Sequence, residues 1–184
     1  MTVFCATERM VLRRFTPADE AALVALHGDA DVMRFVGNGR PVPGEVVRRE
    51  TLPAILADYG RLGGLGLFAA ESRGDATFLG WFEFRPRDPA SRDDVELGYR
   101  LHRAQWGRGL ATEGARTLLR RGFTDLAVRR VYATTMAVNH ASRRVLEKAR
   151  LRYVRTVHED WPEPIAGAEH GDVEYELLRA HWRG

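Results

Sequence analysis

The stretch from Glu96 to Gly114, ELGYRLHRAQWGRGLATEG, constrains the chain most. Val95 to Leu101 has strand character, Trp106-Gly107-Arg108-Gly109 turns, and a helix runs from about Leu110 to Phe123. On that helix Ala111, Ala115, Leu118, Leu119 and Phe123 fall on one face, while Arg116 and Arg120 leave it. A glycine turn opening a helix offers unpaired backbone N–H groups and the positive end of the helix dipole, an anion site. Gly107 and Gly109, lacking Cβ, let the chain approach a phosphate. Many strand–helix turns hold glycine only to turn, so the feature alone implies an anion and no more. The spacing is not that of a Walker loop. Nor is it Gly-x-Gly-x-x-Gly, because Thr112 stands where the third glycine belongs.

Around this stretch the periodicity predicts strands at Arg9–Phe15, Leu67–Ser72, Phe78–Phe84, Val128–Val138, Tyr153–His158 and Val173–Leu178. Thr16-Pro17-Ala18-Asp19 reads as a helix start, continued through Ala22, Leu23, Leu26 and Ala30. Val46–Leu62 and Ala141–Ala149 read as two more helices, and Arg73-Gly74-Asp75 as a hairpin turn. A meander followed by strand, helix, strand and helix gives a mixed α/β sheet of six or seven strands flanked by about four helices. No repeat is evident, and 184 residues suit one domain, 1–184.

Composition removes several classes of function. The longest apolar run, Ala21 to Leu26, is too short to span a bilayer, and the N-terminal residues lack a secretory pattern, so a cytoplasmic location without membrane association is expected. Cys5 is the only cysteine, which excludes an internal disulfide, and no Cys/His cluster has zinc spacing, so no metal is expected. Lys148 is the only lysine among 28 basic residues. The arginines are scattered without interleaved aromatics, so specific nucleic-acid binding is not expected. From His158 to Glu176 the chain holds seven acidic residues and no Lys or Arg, a pattern that with Asp93 and Asp94 suits attraction of a cationic acceptor.

Three groups of residues carry a resemblance. Thr7–Arg13 (TERMVLR), then Glu96–Tyr99 (ELGY) with Trp106–Glu113 (WGRGLATE), then Asn139–Ser142 (NHAS) with Val145–Lys148 (VLEK), occur in order across nearly the whole chain. In these the chain resembles the GNAT N-acetyltransferases, especially their RimJ/RimL-type branch of ribosomal-protein N-terminal acetyltransferases. The resemblance implies a GNAT-like sheet splayed between its fourth and fifth strands, with acetyl-CoA in the wedge. It implies pantetheine pairing near Leu101, His102 and Arg103, and pyrophosphate at the amides of Gly107, Arg108, Gly109, Leu110, Ala111 and Thr112. Asn139 would bind the cofactor arm or cap a helix. One departure stands out: the branch ends the helix after Glu-Lys with Gly-Phe, and here Ala149-Arg150-Leu151 follows.

Amide formation sets further requirements. The attacking amine must be neutral; at pH 7 this costs about 4.6 kcal/mol for a lysine-like amine and about 1.4 kcal/mol for an α-amine with pKa near 8. Glu96 is the candidate general base, acting through water, with a solvent-facing strand-edge glutamate as the alternative. The N–H of Leu101 or His102 would stabilise the oxyanion. Ser142 either protonates the departing thiolate or caps its helix. The expected activity is transfer of an acetyl group from acetyl-CoA to a primary amine, on a protein N-terminus or a small molecule, by direct attack in a ternary complex. The alternative is a non-catalytic CoA-binding sensor or partner-binding module. Transfer through Cys5 is disfavoured, and assembly as monomer or homodimer is left open.

Overall fold

A computed structural model describes residues 2–158 and 163–184. Eight strands form one sheet in the order β1-β2-β3-β4-β5-β6-β8-β7. They are β1 (Val3–Ala6), β2 (Met10–Arg14), β3 (Gly66–Ser72), β4 (Phe78–Pro86), β5 (Asp94–Leu101), β6 (Arg130–Met136), β7 (Arg152–Val157) and β8 (Asp172–Leu178). The fold is the mixed GNAT-like α/β architecture that the motifs imply, with β1 as an additional edge strand. Four residues of intermediate burial or exposed, paired through an irregular register with β2, carry too little periodicity to be seen in sequence.

All neighbouring strands are antiparallel except β5 and β6, which are parallel. Their pairing covers only Asp94↔Arg130, Val95↔Val131 and Glu96↔Tyr132. Beyond Glu96 the two strands separate, which is the expected splay.

The helices are α1 (Glu20–His27), α2 (Ala30–Met33), α3 (Gly44–Val46), α4 (Leu52–Arg61), α5 (Leu110–Thr124) and α6 (His140–Lys148). Four of them have eight residues or more. The helix expected through Ala30 is broken: Gly28 closes α1, and the Asp29 carboxylate accepts from the N–H of Asp31 at 2.9 Å to start α2. α3 and α4 are joined by a π-helical turn, Val47–Thr51. Pro53 follows it, and a proline's missing N–H and its ring clash with the preceding turn explain the widened winding.

The pleat assigns the two faces of β4 and β5. Trp81↔Arg100, Glu83↔Gly98 and Arg85↔Glu96 project on one side; Phe82↔Tyr99 and Phe84↔Leu97 project on the other. The second side meets α5, which lies so close that a Cβ on Gly114 would sit 2.3 Å from the Phe82 ring. The first side meets α1, where Trp81 Nε1 donates to His27 Nε2 at 3.3 Å. At the end of α6, Arg150 takes the left-handed conformation (φ +70°), with Leu151 N–H donating to Leu146 C=O at 3.0 Å. The chain keeps the turn that a glycine would ordinarily make and accepts about 1 kcal/mol of strain.

Candidate active site

The parting of β5 and β6 opens a cleft of about 940 Å³. Of the expected residues, Glu96, Leu101, Gly107, Gly109, Leu110, Ala111, Thr112, Asn139 and Ser142 line it. His102, Arg103 and Arg108 do not line it, although Asp31 and Gln105, the partners of the two arginines, do. His102 packs edge-on to Phe78, Arg103 is ion-paired with Asp31, and Arg108 donates to Gln105 Oε1 at 2.6 Å.

The anion end of the cleft is built from main chain. Gly107 (φ +72°) and Gly109 (φ +80°) are both left-handed, a conformation that a side chain resists. The first intrahelical bond of α5 runs from Glu113 N–H to Gly109 C=O, so the N–H groups of Leu110, Ala111 and Thr112 have no partner within the helix. Arg9 clamps this turn to the start of β2, donating from Nε to Glu113 at 2.7 Å and from Nη1 to Arg108 C=O at 3.0 Å. No local sequence pattern links Arg9 to Glu113, which are 104 residues apart.

Along β5, His102 N–H donates to Leu79 C=O at 3.0 Å and is already used. By the alternation of an antiparallel ladder, the N–H groups of Tyr99 and Leu101 point away from β4 into the gap. Leu101 C=O accepts from Trp106 Nε1 at 2.8 Å, which ties the glycine turn to the end of β5. Together the two glycines, the free helix amides and the parted strands fit a long, anionic, amide-bearing ligand.

Ser142 and Asn139 divide two tasks that the sequence leaves undecided. Asn139 caps α6, its Oδ1 accepting from Ser142 N–H at 3.2 Å. The Ser142 hydroxyl is therefore free of capping and lies 2.9 Å from Tyr99 Oη. Tyr99 is a partner that the sequence reading missed; only the pleat of β5 brings it under α6.

The opposite face of β5 carries the titratable groups. Glu96 Oε2 is 3.5 Å from Tyr132 Oη and 4.0 Å from Arg85. Beside it stands Glu83, also missed in sequence, bonded to Arg85 Nε at 2.8 Å with its side chain 13% exposed. Burial pushes the Glu83 carboxyl up to about 7, against the pull of Arg85 and with a further push from Glu96. Arg100, two residues along, stacks 4.9 Å over Trp81 and contacts His27 Nε2 at 3.1 Å. Burial, and then the Arg100 charge, lower His27 to about 4, so it is neutral.

Cys5 lies outside the cleft, and burial raises its thiol to about 11, which removes it as a nucleophile at neutral pH. Of the acids of the C-terminal segment, Glu163 and Asp172 line the cleft, whereas Glu174 and Glu176 bind Arg130 and Glu174 also binds Arg155. Asp94 joins Arg130, and Asp93 pairs with Arg129. Glu159 and Asp160 lie outside the described residues. Among the described residues no group of three or more His, Cys, Asp or Glu is arranged to hold a metal, and no helix is long and apolar enough to cross a membrane.

The cleft made by the parting strands thus has a helix amide cradle on one side and carboxyls on the other. Residues 9–152 match the acetyltransferase (GNAT) domain family. The FsC-acetyl coenzyme A-N(2)-transacetylase of Aspergillus fumigatus is 33% identical over 161 residues, covering 84% of this chain and 67% of that protein. In structure the chain is similar to a GNAT-family acetyltransferase from Bacillus anthracis, with a TM-score of 0.79 at 22% identity over 98% of this chain and 99% of that one. It is also similar to RimL, a ribosomal L7/L12 alpha-N-protein acetyltransferase in complex with coenzyme A, with a TM-score of 0.79 at 16% identity over 96% and 97%. The chain belongs to the GNAT acetyltransferases. It is an acyltransferase of the acetyl-CoA-dependent kind.

Proposed function

We propose that this chain moves the acetyl group of acetyl-CoA to a primary amine, on a protein N-terminus or a small molecule, by direct attack in a ternary complex. One observation carries the reading: β5 turns free amides toward the cleft along one edge and Glu96 onto its adjoining face, with Glu83 of β4 beside it, so donor and acceptor meet across this strand. Pyrophosphate lies at the amides of Gly107 to Thr112, and pantetheine follows the open edge of β5 as far as Leu101. Asn139 supports this arm by holding the start of α6.

The amine attacks the thioester carbonyl, a C–N bond forms and the C–S bond breaks. Its proton passes to the carboxylate pair, Glu96 acting through water with Glu83 beside it as the member poised near neutrality. The Leu101 N–H receives the developing oxyanion. The Ser142 hydroxyl, held by Tyr99, protonates the departing thiolate. The reading takes residues 1–184 as one RimJ/RimL-type domain, cytoplasmic, monomeric or homodimeric, with neither membrane nor specific nucleic acid as partner.

Calorimetry with acetyl-CoA, followed by thiol release on a panel of amines, tests it. Binding with release on one amine class is the expected result. Binding without release on any amine would indicate a sensor, and absence of binding would remove the function altogether.

A further inference from the structure

We propose that Arg100 holds a carboxylate of the amine acceptor, so that the substrate is an amino acid or an amino-acid derivative; this deepens the acetyl-transfer reading and rests on it. Arg100, Glu83 and Glu96 come from two adjacent strands but share one face, because their registered partners alternate as Trp81, Gly98 and Arg85. Arg100 lines the cleft, and its guanidinium touches two uncharged groups, His27 Nε2 at 3.1 Å and the Trp81 ring at 4.9 Å. His27 Nε2 also accepts from Trp81 Nε1 at 3.3 Å, so the ring proton sits on Nδ1 and the imidazole cannot counter the charge.

Among the described residues no carboxylate lies within ion-pair distance of Arg100. The fold treats other sheltered arginines differently. Arg13 is met by Asp19 and Glu71, and Arg130 by Asp94, Glu174 and Glu176. Burial lowers Arg100 to about 10, with the Glu83 charge pulling the other way from beyond ion-pair distance. A guanidinium fixed by stacking on one face and a neutral acceptor at one Nη keeps a planar fork of donors for a carboxylate. Arg100 on β5 and Glu83 on β4 are diagonal neighbours, about 7–8 Å apart at the backbone, and bracket a molecule whose amine and carboxylate are separated by a few atoms. Anchoring the carboxylate at Arg100 would place the amine beside Glu83 and Glu96.

The test follows thiol release from acetyl-CoA with glycine, β-alanine, L-ornithine, L-lysine and L-glutamate, each beside its carboxamide, and with spermidine. Wild type and Arg100→Gln are compared, with acetyl-CoA affinity and thermal melting confirming that the variant folds. Wild type is expected to favour at least one acid over its carboxamide by about 10- to 100-fold in kcat/KM. In Arg100→Gln that preference should fall to within about threefold, through KM rather than kcat, as loss of an ion-paired hydrogen bond predicts. A preference that survives Arg100→Gln, or spermidine or a carboxamide outperforming every acid, overturns the proposal. If no amine releases thiol, calorimetry with the same compounds decides. Heat that needs both the carboxylate and Arg100 supports the anchor while the transfer reading falls, and no such heat overturns the anchor as well.

Discussion

On the α5 side of β5 the groups offered to a ligand are main-chain amides, those of Leu110 to Thr112 and of Tyr99 and Leu101, backed by apolar side chains. On the α1 side they are side chains, Glu83, Glu96 and Arg100, each delivered by the pleat of a different register pair. The contrast shows two ways of building affinity. Backbone amides need only the correct path of the chain, and glycines at two positions secure it. Side-chain groups instead need burial and fixed neighbours to acquire their chemistry. The donor half should therefore tolerate side-chain replacement and fail on backbone change, while the acceptor half should do the reverse.

The largest expected break is Glu83→Gln, which should lower kcat by about 10²-fold or more. In wild type kcat/KM should rise more steeply with pH below about 7, where Glu83 is still losing its proton, than above it, where only deprotonation of the amine remains. That added steepness should vanish in the variant; steepness that persists would leave proton acceptance to Glu96 alone.

Glu83 and His27, both shifted by burial, predict an unusual stability profile. Glu83 is raised from an ordinary 4.5 to about 7, so its contribution is present at low pH and is lost as pH rises across that window. His27 is lowered from 6.5 to about 4, so its contribution is present above 6.5 and is lost as pH falls toward 4. Between about 4.5 and 6.5 the slopes oppose each other, each on the order of 3 kcal/mol. Wild-type unfolding free energy should be nearly flat there by denaturant titration. Glu83→Gln should make it rise with pH, and His27→Gln should make it fall.

On the donor half, Gly109→Val should weaken acetyl-CoA binding by about tenfold by calorimetry, because a β-branched residue resists the left-handed conformation by about 1–2 kcal/mol. Arg150→Gly, away from the cleft, should raise unfolding free energy by about 1 kcal/mol and leave both halves of the site unaffected. The smallest effect belongs to Arg108→Ala. Its guanidinium is held by Gln105, so acetyl-CoA affinity should change less than about twofold, and a larger loss would show that the cradle is not made by backbone alone.

The contrast also explains what was legible in the sequence. The donor half follows the local chain: strand, glycine turn and helix are contiguous from Glu96 to Gly114, and their residue types reveal the conformation. Seven of the eight strands were visible for the same reason, as alternating runs bounded by turns. Glu83 and Arg100 were not legible. Each is an ordinary polar residue in a strand, and nothing local says that Gly98 leaves room over Glu83 or that α1 seals Trp81 and His27 against Arg100. Tyr99 and Ser142 are 43 residues apart, and only the packing of α6 over β5 joins them. Of the C-terminal acids, Glu163 and Asp172 do line the cleft, whereas Glu174 is the ladder partner of Arg155 and, with Glu176, is reached by Arg130 from the neighbouring strand, a relation fixed by the pairing of β8 between β6 and β7.

The three-pair junction between β5 and β6 also has a mechanical side. A continuous sheet hides its edges at its two ends, but here two raw edges face each other inside the molecule, along Leu97–Leu101 and Ala133–Met136. Edges of this kind ordinarily recruit another strand. In the proposed complex the cofactor arm would stand as a removable strand between these edges, while the three pairs from Asp94 to Glu96 keep the half-sheets joined. Amides along those edges should exchange with solvent in the free protein and become protected when the cleft is filled.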